Sequence, residues 1–180
     1  MCNSYLSKSK FCNAMQCNKI LWLDKNKPEV AEQTAKDEIL ENGTEVGKLA
    51  RGIFGEYVNI DFNENLEVMI NQTKEQLSKG STIISEATFC YDNCMCSIDI
   101  LKNNKSGLEI FEVKSSTEIK DIYIDDISYQ VYVLSNLGYK VQSANIVYIN
   151  NQYERQGELE LDKLFNIEDV TKMAMSKQDE

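Results

Sequence analysis

The chain has 180 residues, six cysteines, one proline and no histidine, with a net charge of −10. The missing histidine excludes Ser-His-Asp and Cys-His catalysis and His-containing zinc sites, which leaves carboxylates, lysines, thiols or a bound metal for any chemistry. The length suits one domain with its own core, and the acidic balance argues against a protein that coats nucleic acid, though not against one that grips it locally.

In chain order, Tyr5 to Leu23 carries Phe11, Met15, Ile20, Leu21 and Leu23 in a pattern that predicts a helix capped near Ser7 or Ser9, with Trp22 packed at its end. This front end holds Lys8, Lys10, Lys19, Lys25 and Lys27 against Asp24 alone, a basic patch in an acidic chain. Pro28 marks its exit, and acid-rich Glu29 to Glu41 reads as a mostly exposed helix or loop. Asn42-Gly43-Thr44 predicts a break, with Thr44 capping a helix through Val46, Leu49, Ala50, Ile53 and Phe54. Gly47 and Gly52 in that helix point to close packing or to close approach by a ligand. Tyr57 to Ile60 is a short β-like run, and Leu66 to Leu77 is a helix that Gly80 ends.

Thr82 to Phe89 predicts a first strand, with Glu86 inside it. A hairpin follows, from Cys94 to Leu101 and from Leu108 to Ser115, with Lys102 to Gly107 as its loop. Alternation puts Leu108, Ile110, Glu112 and Lys114 on one face, and Asp99 on the side of Met95, Ser97 and Leu101. Thr117 to Leu137 predicts a helix with Ile119, Ile122, Tyr123, Ile127, Val131 and Leu134 as its apolar stripe, Gln130 on that stripe and Gly138 as its stop. Ala144 to Ile149 is a strand expected to join the sheet parallel to its neighbour. Glu158 to Leu161 reads as a further short strand, Phe165 to Lys172 as the start of a helix, and Met173 to Glu180 as a frayed tail. The organisation expected is a single domain over 1–180: a helical region 1–41, a core 42–172 and the tail 173–180.

The cysteines lack paired C-x-x-C knuckles. Cys12 and Cys17 lie at the front, and Cys90, Cys94 and Cys96 are placed on the first hairpin strand, where reduced thiols or a metal site of hairpin thiols both remain open. No apolar run is long enough for a bilayer and no secretory signal is visible, so no membrane and a cytoplasmic location are expected.

An acid and an amine at the end of an apolar strand face, beside a second acid, need a reason, because a buried carboxylate costs several kcal/mol unless paired or metal-bound. Two readings fit: an ion pair with Lys114, or a hard divalent cation held by oxygen ligands with the lysine beside it. A second Glu-x-Lys, Glu118-Ile119-Lys120, lacks an acidic strand partner and reads as solvated surface.

Ile98-Asp99, a hairpin, Glu112-Val113-Lys114 and a following helix with Gln130 together resemble the PD-(D/E)XK nuclease superfamily. The likeness is to its RecB-type branch, near the CRISPR-associated exonucleases. Tyr5-Leu-Ser-Lys-Ser9, Gln16-Cys17, Leu21-Trp22-Leu23 and Gly43 to Ala50 extend it toward a bacterial family with an N-terminal RecB-like domain. The resemblance implies an α/β, restriction-endonuclease-like core with a mixed central sheet flanked by helices. It implies a Mg²⁺- or Mn²⁺-dependent deoxyribonuclease, exonuclease-like on ends or single strands, with DNA as partner. In that reading Asp99, Glu112 and the Val113 carbonyl hold the metal, with Glu86 as a weaker extra ligand. Lys114 orients or activates water, and Gln130 positions the substrate or the lysine. Three departures stand out: Gly47 where a covering-helix histidine is usual, Leu134 where Gln-x-x-x-Tyr has its tyrosine, and Cys17 as the sole match to an iron–sulfur set. A cluster would then need cysteines from a longer parent chain. The competing class is a nuclease-fold DNA-binding or scaffold module without turnover.

Overall fold

The computed structural model describes residues 5–30 and 36–178, the side chains of 30 and 36–42 excepted. It is an α/β structure with a mixed seven-stranded sheet flanked by helices. The strands are β1 (Leu6–Ser7), β2 (Val58–Asn59), β3 (Ile83–Tyr91), β4 (Cys94–Asn104), β5 (Gly107–Lys114), β6 (Val141–Ile149) and β7 (Phe165–Asp169). The helices are α1 (Lys8–Gln16), α2 (Asn18–Asn26), α3 (Lys36–Ala50), α4 (Leu66–Lys79), α5 (Asp121–Asn136), α6 (Leu161–Leu164) and α7 (Thr171–Ser176).

The sheet runs β2-β3-β4-β5-β6-β7, with β1 beside β4. Two hairpins build its centre. In β3–β4 the turn residues Asp92 and Asn93 both have positive φ, the pattern two-residue turns require. β4 and β5 pair as far as Asn104 and Gly107, so the loop expected over Lys102 to Gly107 shrinks to Lys105 and Ser106. Cys90 therefore lies on β3, one strand before Cys94 and Cys96. β6 returns parallel to β5 after α5, the expected crossover. The α5 side of the sheet buries Ile98, Leu101, Leu108, Ile110, Ile127, Leu134 and Ile146, with Met69 of α4 and Ala174 of α7 in the same cluster. The other side packs Ile100, Phe111 and Val147 against Ala50 and Val46 of α3 and Leu161 and Leu164 of α6.

Several expectations fail for local reasons. The predicted first helix divides at Cys17, whose extended backbone separates α1 from α2, while Ser7 caps α1 as expected by accepting from the Lys10 amide. Trp22 is 55 % exposed rather than packed. α3 runs unbroken through Asn42-Gly43-Thr44, its apolar face docked on the sheet outweighing the weak helix propensity there. Within 29–41, residues 31–35 lie outside the described residues. Gly52 is close-packed, a Cβ there meeting Leu161 at 2.9 Å, whereas Gly47 opens on free space. Phe165–Asp169, expected as helix, pairs with β6 because the sheet offers its backbone a ladder, and Glu158 to Leu161 forms no strand. The expected tail is instead ordered as far as Gln178: Lys177 pairs with Asp125 and Gln178 donates to the Ser128 carbonyl.

Candidate active site

The site grows from a parting of strands. β5 leaves β4 after the Ile100–Phe111 pair, and β1 takes up the same edge of β4 only at Cys94 and Met95. Between them the Asp99 side chain replaces the missing ladder bond, its Oδ2 accepting from the Val113 amide at 2.8 Å. Opposite Asp99 on β3, Glu86 holds φ at +57°, a sparsely populated state for a residue with a side chain. The inward parity changes here on both strands: Ile84 and Ala87, and likewise Ile98 and Leu101, lie three apart yet share one core. Simple alternation therefore misplaced Asp99, which does not share a face with both Ser97 and Leu101. A kink of this kind re-aims a side chain, a recurrent device next to functional sites.

Glu112, 2 % exposed, is the hub. Lys8 Nζ donates to both its oxygens at 2.9 and 2.8 Å, Lys114 Nζ to Oε1 at 2.7 Å, and Gln130 Nε2 to Oε2 at 2.6 Å. Asp126, one turn before Gln130 on α5, accepts from Lys114 at 2.5 Å and from Gln130 at 3.1 Å. Lys8 also stands 3.7 Å from Asp99 Oδ1. Lys114 lies 5.2 Å from the centre of the Tyr123 ring. Glu86 faces the same cleft but gives its carboxylate to Arg51 at 2.6 Å, and Arg51 reaches on to Asn59. The cleft, about 310 Å³, is lined by Gly43, Thr44, Gly47, Arg51, Glu86, Asp99, Glu112 and Val113.

Burial would raise the Glu112 carboxyl, but Lys114 and Lys8 hold it far below the usual carboxylate range. Burial and then the neighbouring Glu112 charge push Asp99 up to about 7, and the same two causes raise Asp126. Burial disfavours both ammonium groups, yet the surrounding carboxylates keep Lys8 and Lys114 above the ordinary lysine value.

These shifts have opposite consequences with pH. Native Asp99 keeps its proton where the unfolded chain, at the ordinary 3.8, has lost it. Its contribution to stability is whole below that value and is lost as pH rises towards 7, at up to about 1.4 kcal/mol per pH unit. Glu112 acts the other way: its contribution is present above 4.5 and disappears as pH falls through its depressed native value. Asp99→Asn is expected to flatten the decline between pH 5 and 7 in urea unfolding; an undiminished slope would assign the decline to another group.

Of the residues picked out from sequence, Asp99, Glu112, Lys114 and Gln130 come together, and the Val113 amide joins them. Glu86 is engaged elsewhere, and Cys17 is exposed between α1 and α2. Among the described residues no three His, Cys, Asp or Glu side chains gather as a metal-holding group, which leaves the hairpin thiols without the cluster considered for them. Lys8, Asp126 and Arg51 were missed. Asp126 had a signal, since it stands four residues before Gln130 on one helix face. Lys8 had only its places in a basic front end and in the Tyr5-Leu-Ser-Lys-Ser9 run, neither of which sets it beside Glu112.

The class that fold and site define is an α/β protein whose central sheet parts around a partly buried cluster of three carboxylates and two lysines. Compared with known proteins, the chain matches no family model and no curated protein. No helix among the described residues is long and apolar enough to cross a membrane.

Proposed function

We propose that the protein is a metal-dependent nuclease of restriction-endonuclease-like fold that hydrolyses DNA phosphodiester bonds, exonuclease-like on ends or single strands. The observation that carries this reading is the convergence of Asp99 and Glu112 on a single cationic point at the edge of an open cleft, with Lys114 on the same carboxylate. The Lys8 ammonium at that point is a stand-in for a small cation, and an all-oxygen donor set suits Mg²⁺ or Mn²⁺. Asp99 and Glu112 would hold the ion, with the Val113 carbonyl as a further ligand. When bound, it would supply Lewis-acid stabilisation of charge on the phosphoryl oxygens.

The chain's own groups do the rest. Lys114, held protonated by Glu112 and Asp126, acts as donor and positive charge towards water and phosphate rather than as a base at neutral pH. Gln130 bridges Glu112 and Asp126 and so fixes the carboxylate that Lys114 leans on. Arg51 lines the cleft, and exposed Lys10, Lys19, Lys25 and Lys27 on and just beyond the N-terminal helices offer a local surface for a phosphate backbone.

With Mn²⁺ and end-labelled single- and double-stranded DNA, wild type is expected to shorten the label while Asp99→Ala does not. Equal cutting by both proteins would assign the activity to a contaminant and remove this reading. The second reading, a binding or scaffold module without turnover, draws on the same ammonium: a site filled by its own lysine, with the third carboxylate, Asp126, engaged by Lys114 and Gln130, is a weak place for a metal. DNA retention without cleavage by wild type would favour it.

A further inference from the structure

We propose that Lys8 is an exchangeable, built-in counter-ion, and that a divalent cation enters between Asp99 and Glu112 only by displacing its ammonium group. The inference rests on the metal-site reading above and adds the step by which that site opens.

Lys8 is not a surface lysine that happens to fall on an acid. Its backbone is fixed on both sides: β1 pairs with β4, the Leu6 amide donates to the Asn93 carbonyl at 2.9 Å, and the Tyr129 hydroxyl donates to the Leu6 carbonyl. Phe11, one turn into α1, stacks on Tyr129 with ring centres 4.8 Å apart. The register of β1 thus brings Lys8 alongside the gap that β5 leaves in the edge of β4. Only the four-carbon side chain remains free to move, and its side chain is 21 % exposed, so a way out exists.

Charge explains why one cation leaves as the other arrives. With all five groups ionised, Asp99, Glu112 and Asp126 exceed Lys8 and Lys114 by one negative charge. Exchanging the Lys8 ammonium for a divalent ion brings the cluster to neutrality. Keeping both would leave an excess positive charge and two cations within contact distance of each other, which Coulomb repulsion at that range opposes. The point that Lys8 Nζ fills, 2.8 Å from Glu112 and 3.7 Å from Asp99, has room for one cation. The exchange therefore weakens metal binding by the whole cost of removing the lysine.

The test compares wild type, Lys8→Met and Lys8→Arg by Mn²⁺ titration, read as loss of the free-ion electron paramagnetic resonance signal. Thermal melting with and without Mn²⁺ accompanies it, and Lys105→Met, at an exposed position in the β4–β5 turn, serves as control. Lys8→Met is expected to melt lower than wild type without metal, to bind Mn²⁺ at least tenfold more tightly, and to gain more melting temperature from it. Lys8→Arg, a permanent cation able to pair bidentately with Glu112, is expected to bind Mn²⁺ more weakly than wild type. Measurable Mn²⁺ binding by wild type that neither substitution changes would overturn the exchange while sparing the metal site. Folded Lys8→Met and wild type both failing to bind Mn²⁺ would remove the metal site and the exchange with it. Should Lys8→Met not fold, the Lys8→Arg arm decides alone: affinity equal to or above wild type refutes the proposal.

Discussion

Truncating Glu112 to alanine is expected to destabilise the protein by about 3–5 kcal/mol, the largest single effect anticipated in this chain. The carboxylate is buried and accepts from Lys8, Lys114 and Gln130 together. Removing it leaves Lys114 with Asp126 as its one acid partner and Lys8 with Asp99 at 3.7 Å, beyond hydrogen-bond reach, so the Lys8 ammonium loses both of its carboxylate hydrogen bonds in a poorly solvated space. The cost is that of an uncompensated buried charge, which exceeds the net value of the pairs themselves. Urea unfolding at pH 7 measures it directly. Glu112→Gln, which keeps the volume and one acceptor oxygen, should lose less. A loss below about 1 kcal/mol for the alanine variant would mean that water reaches the cluster freely and that the lysines need no partner.

The second large effect is on chemistry. Lys114→Met keeps an unbranched side chain while deleting the ammonium that lies over Tyr123, and is expected to lower DNA cleavage about 10²–10³-fold, the typical loss for one preorganised donor to a developing oxyanion. The fall should lie in kcat with KM little changed, because a group aimed at the reacting phosphate contributes mainly in the transition state. Asp126 loses its ammonium partner in the same variant and keeps only Gln130, so a stability loss will accompany the kinetic one. Single-turnover cleavage at a temperature well below the variant's melting point separates the two. A rate within a factor of a few of wild type would strip Lys114 of its proposed role and leave it a structural counter-ion.

Much of the site can be read from residue order because its parts lie on neighbouring elements. Asp99, Glu112 and Lys114 belong to one hairpin, where pairing register follows from the chain itself, and Gln130 follows on the next helix with its helical period intact. Alternation placed Glu112 and Lys114 correctly on the face that meets α5. It failed at Asp99 because a kink shared by β3 and β4 reverses inward and outward, and the positive φ of Glu86 has no signature in a glutamate. Phe165 to Asp169 misled for a related reason: a short mixed segment takes the structure its neighbour offers, and the open edge of β6 was that neighbour.

What the sequence determined by itself was the α/β order of elements, the central hairpin and the acid–acid–lysine set it carries, because these depend on local periodicity and turn chemistry. Only the tertiary structure decided that Lys8, more than a hundred residues from Glu112, completes the set. That contact exists because β1 joins the edge of β4 beside the gap left by β5, a pairing of distant segments that no local pattern encodes. Periodicity says which way a side chain points on its own element; the charge that meets it there is settled by which strands the whole chain brings together.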